Sequence, residues 1–383
     1  LIRKEAEVDS KPPSRTFGGK SGAANLVWRA LGDVENYIEP FAGSLAVLLG
    51  RPSDPLVETV NDLDGLLCNA WRALQFDPEG TAWAADWPVS ELDLCARHMW
   101  LVEHKDEITK KLASDPEWFD PKAAGWWIWG ACCWIGSGWC KGTGAWSRGE
   151  DGLLVKGAKT EDDPSITQQL PYLRDDGRGV NKPSITRQLP HLSENRGVNK
   201  PSITKKLPHL HESARGIQTS HALEAWFLRL SARLRGVRVA CGDWSRVLTQ
   251  SVSTGHLAVR DGGFCGVFLD PPYGDVRTKD VYANDSVTVA QDVRKWCLEN
   301  GEHPAFRIVL AGYAGEGHEV LEAQGWAVHE WYREGFLTGG YAKQGKDGTQ
   351  QHLERLWCSP NCQKLEADPE TSSINNLLGL SDE

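Results

Sequence analysis

The sequence predicts an α/β protein in which a mostly parallel sheet is covered on both faces by helices. Two observations carry this expectation: short apolar runs of strand length alternate with helical stretches, and they do so in two blocks separated by a region of different texture. A third is that the chain, at 383 residues with 40% hydrophobic and 25% charged side chains, is long enough for one large α/β domain with an insertion, or for two domains.

The first block runs from residue 15 to about 80. Gly22 to Leu31 is amphipathic and reads as a helix. Tyr37-Ile38-Glu39-Pro40-Phe41 reads as a short strand, followed by a small-residue turn and a helix starting at Leu45. Val57 to Val60 is a second strand, and Leu63 to Leu74 a helix. The second block, about 236 to 360, has the same grammar. Val237 to Cys241, Gly266 to Leu269 and Phe306 to Leu310 read as strands. Trp326 to Trp331 and Leu353 to Trp357 are expected to close the sheet as an antiparallel pair.

Between the blocks the text changes. Residues 164–173 read PSITQQLPYL, 183–192 PSITRQLPHL and 201–210 PSITKKLPHL. Repeats usually signal a solenoid, but these copies, rich in Pro, Gly and Asn, hold too few apolar residues to bury a core. Arg174 to Arg215 carries nine Lys or Arg against four Asp or Glu. Two readings stand: a solvated surface loop, or a segment lying along a phosphate backbone through residues such as Arg187, Lys200, Lys205 and Lys206. Upstream, GWWIWGACCWIGSGWCKGTGAW (125–146) begins as a buried helix around Trp126, Trp127 and Trp129, then breaks at its glycines. Trp139 and Trp146, on that glycine-rich loop beside Lys141 and Arg148, are candidates for stacking on a base. Arg229, Arg233, Arg235 and Arg238 offer a basic side that is either a phosphate contact or a solvated face.

Composition narrows the partners. A net charge of −10 disfavours a nonspecific polyanion binder while allowing a local basic groove. No apolar run approaches the roughly 20 residues that cross a bilayer, so no membrane partner is expected. Ten scattered cysteines without a leader sequence predict reduced thiols and a cytoplasmic protein. Cys358 and Cys362 form a CxxxC near His352, but a fourth ligand is lacking, so no metal is predicted.

The chemistry concentrates at two strand ends. Val267-Phe268-Leu269 stops at Asp270-Pro271-Pro272-Tyr273. In a parallel sheet, ligands bind outside the carboxyl ends of the strands. The two prolines fix the backbone and remove its N–H groups, so carboxylate and carbonyl make an all-acceptor notch beside a phenol ring. A flat ring bearing an amino group is the complementary guest, which means adenine or cytosine. At the other end, Glu39-Pro40-Phe41-Ala42-Gly43-Ser44 puts small residues at a helix N-terminus, where a ligand can approach the backbone. Asp62 follows about 20 residues later, at the end of the next strand, where an acid can take ribose hydroxyls.

With these motifs in order, Phe17-Gly18-Gly19-Lys20, Glu39 to Gly43, Asn61-Asp62-Leu63-Asp64 and Asp270 to Tyr273, the chain resembles the Dam-like (D12) class of adenine-N6 DNA methyltransferases, in particular those of actinobacteria and their phages. The resemblance covers residues 15–75 and about 236–358. It implies a Rossmann-like S-adenosylmethionine-dependent methyltransferase core at 15–80 and 222–362, an inserted target-recognition region at 81–221, an extension at 1–14 and an acidic flexible tail at 363–383. It implies S-adenosylmethionine as methyl donor and double-stranded DNA as partner, in a bacterium or a phage-infected cell. A companion restriction endonuclease is neither indicated nor excluded. Carried over by residue, Phe41 packs against the donor and Gly43 admits its amino-acid end. Asp62 takes the ribose and Lys20 lies near the amino-acid portion. Asp243 contacts the donor's adenine. One departure is that Ser44-Leu45 stands where many members carry a glycine at the second position after Gly43, which tightens the pocket. Asp270 and the Pro271 carbonyl then draw the target amine toward sp³ geometry as it attacks. Flipping the base out of the duplex costs a few kcal/mol, and stacking on Tyr273 returns roughly 1–3 kcal/mol. Three alternatives stay open: transfer to cytosine N4, action on RNA, and a DNA-binding chain that has lost catalysis.

Overall fold

The computed structural model describes residues 20–53, 56–134, 139–140, 146–148, 154–156, 217–272, 288–331 and 354–365, with backbone only for 146–148, 154–156 and 217–221. The three PSIT repeats, most of the tail, His352, Phe17, Gly18, Gly19, Lys141, Tyr273, Arg187, Lys200, Lys205 and Lys206 lie outside these residues.

A seven-stranded sheet is the frame. Its strands are β1 (Asn36–Glu39), β2 (Val57–Asp62), β5 (Val237–Cys241), β6 (Cys265–Leu269), β7 (Phe306–Tyr313), β8 (Ala327–Glu330) and β9 (Glu354–Cys358), while β3 (Trp146–Arg148) and β4 (Leu154–Lys156) form a separate hairpin. The order is β5-β2-β1-β6-β7-β9-β8. Adjacent strands from β5 through β7 pair in parallel, and β9 runs antiparallel to both its neighbours, with Val328 opposite Trp357. The antiparallel pair is as the sequence predicts. Its order is a tertiary result, because β9 passes β8 to insert beside β7. The order reverses between β1 and β6, and this crevice is where an open α/β sheet binds ligands.

Strand alternation divides the interior in two. Ile38, Val267, Leu269, Ile308 and Leu310 face one layer, where Val293 and Cys297 of α8 (Val289–Asn300) cover them. Tyr37, Phe268, Val309 and Ala311 point to the other, against α1 (Ala24–Leu31) and α3 (Gly65–Phe76). Each buried Ile, Leu or Phe contributes about 1.5–3 kcal/mol by leaving water. The second layer continues without a break into α4 (Pro78–Ala85), α5 (Glu91–Ser114), α6 (Pro121–Cys133) and α7 (Ile217–Leu234), since Trp71, Trp129 and Phe227 belong to one cluster with Val60. α4 therefore runs across the expected boundary at residue 80 and roots the inserted helices in the core.

Local chemistry sets the boundaries. β1 stops at Glu39 because Pro40 cannot donate to the ladder. Helix α3 starts at Gly65, two residues later than the sequence suggests, because the Asp64 carboxylate caps it by accepting from Leu66 N at 3.0 Å. Arg233 is no phosphate contact. Its guanidinium reaches the buried Glu58 at 2.6 and 2.9 Å and donates to Leu48 O, pinning α7 to β2 and to the short helix α2 (Ala46–Leu49).

Candidate active site

The carboxyl edge of the sheet gathers acids from four strands. Glu39 ends β1, Asp62 ends β2, Asp270 follows β6 and Glu354 begins the antiparallel β9, which brings its first residue to the same edge, opposite Tyr313. Lys20 enters this group from a single 3-10 turn, Lys20–Gly22, with only 3% of its side chain exposed. Its ammonium lies 3.2 Å from Asp270 Oδ1 and 3.8 Å from Glu354 Oε2, with the Trp331 ring 5.7 Å away. Lys20 and Asp270, 250 positions apart in sequence, thus meet at the switch point. Pro271 is buried and Pro272 half-buried.

Glu39 is not open to the crevice. Its Oε2 accepts from the Tyr37 hydroxyl at 3.0 Å and from Leu48 N at 3.2 Å. Burial, with the nearby charge of Asp270, pushes its carboxyl up to about 8, so at neutral pH it carries a proton. Glu39 therefore fastens β1 to α2 beneath the site. Tyr37 shares this environment, and burial raises its hydroxyl as well.

The turn after β1 is built for close approach. Gly43 has φ 46° and Leu45 φ 57° with ψ 24°, so two left-handed residues reverse the chain into α2. Glycine adopts this region freely, whereas leucine does so at a cost of about 1–2 kcal/mol. The place where Leu45 departs from the Dam-like pattern is thus one where the backbone favours glycine, and its side chain is fully buried instead. Ala42 and Ser44 are buried beside it.

Asp62 organises this turn. Its Oδ2 accepts from Gly43 N at 3.0 Å and Oδ1 from Asp64 N at 2.9 Å. Burial lifts its carboxyl to about 6, against the pull of these hydrogen bonds. Next to it, Asn61 donates to Pro40 O (3.0 Å) and Gly242 O (2.9 Å), stitching the ends of β1, β2 and β5 together, and its own Oδ1 is buried without a partner.

Phe41 stands at the rim, 5.9 Å from the Trp244 ring and stacked on it. Asp243 itself is exposed and accepts from Ser245 N at 3.0 Å, opening the turn Trp244–Leu248. The aromatic partner at this strand end is therefore Trp244, which sequence reasoning passed over although it directly follows the acid. Glu354 and Trp331 were missed too. The available signal for Glu354 was a lone acid heading an apolar strand.

The inserted residues fall elsewhere. Trp139 is half-buried, donates its indole N–H to Trp127 O at 3.1 Å and packs beside His98 and Trp134. Gly130 is what admits it, for a Cβ there would lie 1.8 Å from its ring. Trp146 and Arg148 lie in β3, pairing with Lys156 and Leu154. Among the described residues no three His, Cys, Asp or Glu side chains come together as metal ligands do, and no helix is long and apolar enough to cross a membrane.

Among the described residues this edge combines carboxylates, a buried lysine, a backbone cradle and a pair of stacked aromatics, which suits a ligand that carries positive charge, hydroxyls and a flat ring. Compared with known protein families the chain matches no family model, and compared with curated proteins it has no match.

Proposed function

We propose that this chain transfers a methyl group from S-adenosylmethionine to the N6 amine of adenine in double-stranded DNA, on a Rossmann-like methyltransferase core. The observation that carries the reading is Asp270 at the switch-point end of β6, followed by two prolines and gripped by buried Lys20. A carboxylate oriented by an ammonium, beside a backbone lacking N–H groups, is an acceptor for an exocyclic amine.

The residues around it fit the donor. The Gly43 turn, the Asp62 carboxylate, the orphaned Asn61 Oδ1 and the Phe41–Trp244 pair offer a cradle, hydroxyl acceptors and an aromatic wall, and the surrounding acids suit a sulfonium cation. When bound, that donor supplies an activated methyl group. The protein's part is to hold and orient. Asp270 and the Pro271 carbonyl accept the amine's hydrogens and turn its lone pair away from the ring. Lys20 keeps the carboxylate aimed. Tyr273 completes the motif in sequence as the stacking face. Positioning and electrostatics supply the acceleration, with no covalent enzyme intermediate.

The test is mass spectrometry of nucleosides from duplex DNA treated with the protein and S-adenosylmethionine. N6-methyladenine is expected, and Asp270→Ala abolishes it while DNA binding persists. N4-methylcytosine would move the reaction to the other amine, a product confined to RNA would change the substrate, and unmodified nucleosides would overturn the assignment.

A further inference from the structure

Beneath Asp62 lies a feature the proposed reaction does not use. We propose that Cys241 and Cys68 form a redox-modification site that controls the Asp62–Gly43 turn. Cys241 is the last residue of β5 and pairs in register with Asp62 across the β2–β5 ladder. Cys68 sits in the first turn of α3, fully buried, with its Sγ 3.4 Å from Asp62 O and 3.5 Å from Ala240 O. Ala240 directly precedes Cys241, so the Cys68 sulfur lies against the strand end that carries the Cys241 thiol.

The pair is asymmetric in the way reactive dithiols are. Cys241 is half-buried while Cys68 is enclosed. The neighbouring Cys68 thiol holds the Cys241 thiol below its ordinary range, helped by the Arg246 guanidinium, whose Nη1 donates to Cys241 O at 3.1 Å. The same contact, together with burial, raises the Cys68 thiol. A reachable thiol beside an enclosed one that can resolve it is the arrangement that peroxides oxidise reversibly. The Cys241 thiolate attacks a peroxide oxygen, giving the sulfenic acid and, with a proton, one water. The Cys68 thiol then displaces that hydroxyl as a second water. Two thiols and one hydrogen peroxide thus give one disulfide and two waters.

The bond has a structural consequence. It removes the Cys68 S–H from Asp62 O and must bring the two sulfurs to bonding distance, about 2 Å. The first turn of α3 is drawn toward the end of β5, and the segment 62–64 between them shifts. Asp62 then loses its alignment with Gly43 N and Asp64 N. The site is read without any ligand, so it stands or falls independently of methyl transfer.

The experiment treats the whole protein with graded hydrogen peroxide, blocks residual thiols and maps peptides without reductant. A Cys68–Cys241 linked peptide is expected, lost in Cys241→Ser and reversed by dithiothreitol. Amide hydrogen exchange on the same samples should be about tenfold faster at Gly43 and Asp64 in the oxidised form. A map in which Cys68 is fully blocked, or in which Cys358–Cys362 carries the only crosslink, overturns the site. Unchanged exchange in a fully crosslinked sample overturns the control of the turn.

Discussion

Lys20 Nζ lies 3.2 Å from Asp270 Oδ1, and both side chains are largely removed from water. A buried pair costs desolvation of both ions, so it contributes little net stability, but deleting one partner strands the other. That asymmetry makes Lys20→Met informative. The variant removes the ammonium that Asp270 and Glu354 share. It should lose about 3 kcal/mol of stability and about 100-fold in single-turnover methyl transfer. Glu354→Gln, which removes only the more distant acid, should cost less in both. Turnover in Lys20→Met near that of the parent would show that Asp270 needs no counter-ion.

Asp62 has a job in the structure that the sequence did not reveal. It ties Gly43 and Asp64 through backbone hydrogen bonds, and in the proposed function it also takes ribose hydroxyls. Asp62→Ala should therefore weaken S-adenosylmethionine binding by about 10- to 100-fold, the worth of hydrogen bonds to a charged acceptor, as calorimetry reads it. An unaltered dissociation constant would confine Asp62 to the turn.

Glu39 supplies a pH test. Its carboxyl titrates near 8 in the fold, against an ordinary value of 4.5. Between those values the folded protein holds a proton that the unfolded chain has released, so stability falls as pH rises through this window and levels off above it. Asp62, titrating near 6 in the fold, adds to the fall between about 4 and 6. Glu39→Gln keeps an acceptor for Tyr37 and Leu48 but has no proton to lose. Its melting temperature should fall less than the parent's between pH 6 and 9. Parallel curves would place the ionisation of Glu39 elsewhere.

Leu45 sets backbone strain against burial. Its left-handed conformation costs about 1–2 kcal/mol, which glycine would relieve. Its fully buried side chain is worth more, since removing a core leucine costs about 2–5 kcal/mol. Leu45→Gly should be destabilised by about 2 kcal/mol in urea unfolding, and a variant as stable as the parent would show that the surroundings collapse onto the gap.

By itself, the sequence determined the strands, the alternation that buries both faces of the sheet and the ends at which acids appear. Short apolar runs alternating with helical stretches are local signals, and the strands they mark formed where expected, with ends shifted by a residue or a few. Tertiary structure decided who meets whom. Nothing local in Lys20, Asp270 and Glu354 announces an ion cluster, because their contact depends on β6 lying next to β1 and on β9 threading between β7 and β8. Likewise Arg233 could only be recognised as the partner of Glu58 once α7 had packed against β2. Charges far apart in sequence interact through their separation in space, and only the folded sheet fixes that separation.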